Sequence, residues 1–200
     1  MKIIIFILSI SFITSQSITN IDDRYTKEID KLSGTSIIVS AFQMIEELEP
    51  FTMKNLIDLT EIPAPPFQEQ KRAAAFMSLL RDIGADKVFM DGGGNVLALK
   101  KGSGSKNILI EGHLDTVFPI ETDVKVKTSG DTLFAPGIGD DTRGLSVILT
   151  LMKVVNDLNI KTNANIYFCG TVGEEGLGDL SGVKYLFNSG EIDIDTYIAI

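Results

Sequence analysis

The sequence predicts a three-layer α/β/α domain on a mixed sheet, and three observations lead there. From Asn107 onward, short β-branched runs alternate with longer segments of helical period. Two glycine-centred reversals, at 91–95 and 129–131, read as hairpins, which make the sheet mixed rather than purely parallel. The central runs also end in loops rich in glycine and acids, the usual placing of a ligand crevice in an open α/β sheet. A chain of 200 residues fits one domain or at most two small ones.

In chain order, Lys2 and the apolar run Ile3–Ile13, followed by small polar residues, predict a signal peptide over 1–16. The run is short for a bilayer span, so the membrane is expected to matter only during export, and the location is secreted or periplasmic. No cysteine stands at the cleavage region, which excludes a lipoprotein anchor. Residues 17–49 read as a polar lead without period and then a helix over 35–48, which Pro50 ends. Thr52 is expected to cap a second helix bearing Leu56, Ile57 and Leu59. After Pro63-Ala-Pro-Pro66 a third helix turns Phe67, Ala74, Met77, Leu80 and Ile83 one way and closes at Gly84.

Strands follow at 87–90 and 96–100, with a buried strand at 108–110 and a small hairpin of 124–127 with 132–134. Thr142–Leu158 is the longest helical pattern, with Leu145, Ile148, Leu149, Met152, Val155 and Leu158 on one face. A strand over 164–171, a helix over 181–188 and a strand over 196–200 complete the chain. The glycines of 91–95 are not followed by a helix that could aim amides at a phosphate. A net charge of −9 argues against a nucleic-acid partner. The single cysteine, Cys169, excludes an internal disulfide.

Three loops carry the chemistry. His113, the only histidine, follows the 108–110 strand, and Asp115 two residues on can lie on the same side and fix the imidazole. Asp140 and Asp141 open the long helix, and Glu174 and Glu175 follow the 166–169 run. Singly, each has an ordinary explanation: Asp141 as a helix cap, the glutamates as a solvated turn. Together, carboxylates crowded into one crevice either take up protons or share a cation. One imidazole with several carboxylates suits zinc, with manganese or cobalt as substitutes.

His113-Leu-Asp115-Thr-Val, Gly137-Ile-Gly-Asp140-Asp141 and Gly173-Glu174-Glu175-Gly, in this order, resemble the signature of the zinc exopeptidases that include carboxypeptidase G, aminoacylase and peptidase T, metallopeptidase family 20. Ile62-Pro-Ala-Pro-Pro-Phe-Gln-Glu69 is similar to the entrance helix of the peptidase T branch. The likeness covers about residues 50–200 and implies the amino-terminal part of a catalytic domain of zinc-exopeptidase type, truncated. It also implies a lid domain, often the site of homodimerisation, that these residues do not include. By the resemblance His113 and Asp140 hold one zinc, Asp140 and Glu175 a second, Asp115 orients His113, and Glu174 is the general base. The substrate would be a peptide or N-acyl amino acid.

Members of that family supply a further carboxylate just past the strand at 196–200 and a later histidine. The 200 residues alone are therefore expected to be inactive. Arg143 stands where many members have lysine. A competing expectation is a non-catalytic secreted protein that keeps the fold and binds a partner or a cation. Retention of both glutamates and of the whole His-x-Asp unit favours the enzyme.

Overall fold

The structure is a computed structural model and describes residues 22–200. The expected signal segment, 1–16, lies outside the described residues. Six α-helices and seven strands are present among them: α1 Asp23–Ser33, α2 Ser36–Glu47, α3 Glu49–Thr60, α4 Gln70–Ile83, β1 Lys87–Met90, β2 Val96–Lys100, β3 Asn107–His113, β4 Lys127–Ser129, β5 Thr132–Phe134, α5 Thr142–Asp157, β6 Asn165–Thr171, α6 Ser181–Asn188 and β7 Thr196–Ala199. None of the described helices is long and apolar enough to cross a membrane.

The main sheet has the order β1-β2-β6-β3-β7, and β4 and β5 form a separate hairpin. β6, β3 and β7 run parallel, while β1 and β2 are antiparallel additions on the β6 side. The mixed α/β architecture is thus as expected. Alternate residues of the strands feed two cores. One face, with Val96, Ala98 and Phe168, packs under Leu59 of α3, Phe76 and Leu80 of α4, and Leu145, Ile148, Leu149 and Met152 of α5. The other, with Leu97, Leu109 and Cys169, packs against Leu186 of α6. Each fully buried Leu, Ile or Phe side chain contributes about 1.5–3 kcal/mol. The connections β3-α5-β6 and β6-α6-β7 therefore leave by opposite faces, and a crevice opens between them at the strand ends.

Four elements differ from the expectation. Residues 23–33, read as an aperiodic lead, form α1, capped by the Asp22 side chain on the amide of Arg24 and carrying Tyr25, Ile29 and Leu32 at helical spacing. Pro50 lies in the first turn of α3, where its missing N–H costs nothing, and the Thr52 hydroxyl donates to the Leu48 carbonyl instead of capping. α4 begins at Gln70, so its inner face is Arg72, Ala73, Phe76 and Leu80; Ala74 is outside, and Phe67 precedes the helix with a φ of 69°. β4 is Lys127–Ser129, later than the 124–127 expected.

Candidate active site

β3 extends through His113 itself, so the histidine is the last residue of the strand, paired with Thr171 at the end of β6. Its backbone amide donates to Asp141 Oδ2 at 2.9 Å, and Asp141 Oδ1 accepts from the amide of Gly144 at 3.0 Å. The same carboxylate thus caps α5 and fixes the end of β3. This needs bare backbone beside it: a Cβ on Gly144 would stand 2.2 Å from Asp141 Oδ1, and one on Gly112 would stand 2.6 Å from Oδ2.

The imidazole is held from both ends. Nδ1 lies 3.0 Å from the backbone oxygen of Asp115, and because a carbonyl can only accept, Nδ1 carries a proton. Nε2 lies 2.8 Å from Asp140 Oδ1 and 4.0 Å from Glu174 Oε2. Burial lowers the basicity of the ring, but the carboxylates of Asp115, Asp141 and Asp140 outweigh it and raise the pKa to about 9.

Asp115 holds the ring through its backbone and uses its side chain elsewhere as well. Its carboxylate stands 3.6 Å from Nδ1, too far for a good hydrogen bond, and its two oxygens accept the backbone amides of Glu174 at 3.0 Å and Glu175 at 2.8 Å. The backbone oxygen of Asp115 orients the ring; its fully buried carboxylate orients the glutamate pair. Those two amides and His113 keep the Asp115 carboxyl below its ordinary range against the opposing effect of burial.

His113, Asp140, Glu174 and Glu175 all line one crevice of about 630 Å³, with Glu111 and Tyr197 in its wall. One ligand atom each from His113, Glu174 and Glu175 lies within 4.8 Å of the others, and Asp140 reaches the group through Nε2. Burial raises the pKa of Glu175, and the like charges of Asp140 and Glu174 raise it further, a repulsion that a divalent cation relieves. One imidazole with three carboxylates is a donor set that fits zinc.

Several residues around the site were not picked out from the sequence. Arg72, fully buried, donates to the carbonyls of Ile62 and Leu114, and so ties α4 to the turn between His113 and Asp115. Burial brings its guanidinium down to about 10. Glu69 Oε1 accepts the amides of Phe67 and Gly173, and the Thr116 amide donates to Ala64, so the 62–69 segment braces both loops. Glu111 receives Thr171 Oγ1 on one oxygen and, at 2.7 Å, the Tyr197 hydroxyl on the other. The only sequence signal for Glu111 was an acid directly after the apolar run of β3.

Residues 109–200 match the pattern of Peptidase family M20/M25/M40. Over those residues, which carry His113, Asp140, Glu174 and Glu175, the chain is similar to this family. It is 36% identical over 124 residues to a Pyrococcus abyssi protein named as a LysW-lysine/LysW-ornithine hydrolase, covering 62% of this chain and 33% of that one. To carboxypeptidase G2 of a Pseudomonas species it is 28% identical over 144 residues, 67% of this chain and 35% of the relative. The fold is similar to that of a solved Staphylococcus aureus tripeptidase, with a TM-score of 0.63 at 26% identity over 74% of this chain and 42% of the other. The chain spans about a third of the length of the curated relatives it matches.

Proposed function

We propose that these residues supply the metal-holding and proton-handling groups of a metal-dependent hydrolase of peptide or N-acyl amide bonds. The observation that carries the reading is the convergence of His113, Asp140, Glu174 and Glu175 on one crevice at the ends of β3 and β6. The match of residues 109–200 to the M20 family, and relatives whose names denote a carboxypeptidase, a tripeptidase and a hydrolase, support it.

His113, Asp140 and Glu175 would hold zinc, in two ions per complete site with Asp140 shared; manganese and cobalt suit the same donors. When bound, the metal supplies Lewis-acid polarisation of the scissile carbonyl and a lowered pKa of water. Glu174 takes the proton of the attacking water and returns it to the leaving amine, general base and then general acid. Asp115 sets the direction of both glutamates through their amides, and Asp141 and Arg72 hold the strand end and turn that present His113. Export by the segment at 1–16 is part of the proposal; a mature amino terminus between Ser15 and Ile18 on secreted protein tests it.

Replacing Glu174 tests the core of the reading. In the longest product of the gene, Glu174→Ala should lower turnover by about 10²–10⁴ while zinc content stays nearly unchanged. Zinc lost in proportion to activity would make Glu174 a ligand. The 200 residues alone should bind zinc weakly and cleave no peptide, because they bring only two of the assigned donors to each ion where a catalytic zinc takes three. Calorimetric titration decides this, and tight binding of two ions would mean that other acids, Asp141 or Asp179, complete the set.

A further inference from the structure

A second cavity, of about 260 Å³, adjoins the crevice and shares Glu175 with it; Pro66, Phe67, Val117, Gly176 and Leu177 form the rest of its wall. Three large apolar side chains stand open there: Phe67 is 63% exposed, Val117 60% and Leu177 90%. Phe67 is held with a positive φ, 69°, a conformation unfavourable for any residue with a Cβ. Three hydrogen bonds keep it there: its amide on Glu69 Oε1, the Gln68 amide on the Pro65 carbonyl, and Gln70 Nε2 on its own carbonyl. The fold buries little of the ring in return, so what the strained turn accomplishes is to stand an aromatic face beside Glu175.

The walls are also fixed relative to the site. The Thr116 amide on the Ala64 carbonyl joins the Phe67 wall to the Val117 wall, and Asp115 on the Glu175 amide joins the Val117 wall to the Leu177 wall. We propose that this cavity receives the apolar side chain of the substrate residue beside the scissile bond, with Phe67 as its specificity-determining wall. The proposal rests on the hydrolase reading: an amide held at His113 and Glu174 places its neighbouring side chain next to Glu175, where the cavity adjoining the polar crevice is walled mainly by apolar groups and has room for a single large group.

The test is binding, followed through the methyl resonances of Val117 and Leu177 in the 200-residue chain. N-acetyl-phenylalaninamide should shift both and bind at least about tenfold more tightly than N-acetyl-glycinamide. Phe67→Ala and Phe67→Gly should both erase that preference, with Phe67→Gly unfolding at the higher temperature of the two because glycine accepts the positive φ. Equal binding of the two probes, or a preference that survives both substitutions, overturns the proposal. So would methyl shifts that depend on protein concentration without any probe, which would assign the surface to a second copy. Turnover of N-acetyl-phenylalanine by the longest gene product is scored separately. Preference without turnover defeats the hydrolase reading and the substrate assignment but leaves an apolar binding site; turnover without preference defeats the pocket alone.

Discussion

Two pairs of adjacent acids, Asp140-Asp141 and Glu174-Glu175, look alike in the sequence and are used in different ways. In the aspartate pair the labour is divided. Asp141 is 6% exposed and spends its carboxylate on backbone amides, while the Asp140 side chain is 78% exposed and reaches only the ring of His113. In the glutamate pair both side chains stay in the crevice, and it is their amides that are held, by a third acid, Asp115. Whether a carboxylate serves the scaffold or the ligand is set by how many backbone amides it faces, and the residue type says nothing about that.

The largest effect that sharpens the contrast is on stability against pH in the metal-free chain. His113 titrates near 9 when folded and near 6.5 unfolded, so its contribution is full below about pH 6.5 and gone above about 9. Stability should fall by roughly 3 kcal/mol across that window, read from urea midpoints at fixed ionic strength. Burial pushes Asp141 up to about 6, also above its unfolded value, so its titration works in the same direction between about pH 4 and 6. A stability that rises from pH 6.5 to 9 would mean His113 is not held as its three carboxylates suggest.

Next in size is Asp141→Ala, which removes the acceptor of two buried amides and the cap of α5. A cost of about 2–3 kcal/mol is expected in the same unfolding measurement. Its neighbour should behave oppositely. Asp140→Ala should change stability by no more than about 0.5 kcal/mol, as an exposed position, while weakening zinc binding measured by competition with a chelating dye. Equal stability losses for the two would erase the division of labour.

The elements that were legible beforehand are those with long, regular patterns: α5, β6 and the β1–β2 hairpin follow from period and turn chemistry alone. The three crevice acids Asp140, Glu174 and Glu175, together with His113, were legible because each sits at a strand end or helix start. What was hidden depends on partners far along the chain. The face of α4 could not be phased until Phe67 was seen to leave the helix, and Arg72 looks like a surface residue until Leu114, 42 residues on, supplies its acceptor. The part played by Asp115 was only half legible: spacing sets it beside the ring, but says nothing of the glutamate amides that its carboxylate also accepts.

The brace between the 62–69 segment and the two loops also has a temporal side. Glu69 meets Gly173 across 104 residues, and Asp115 meets Glu174 across 59. Such closures come after local helices and hairpins, since each must first overcome the entropy of a long loop. The acids and the histidine are therefore scattered until β3 and β6 are already side by side. A cation has no formed cluster to template during collapse, and its influence falls on the lifetime of the folded state and hardly at all on how quickly that state is reached.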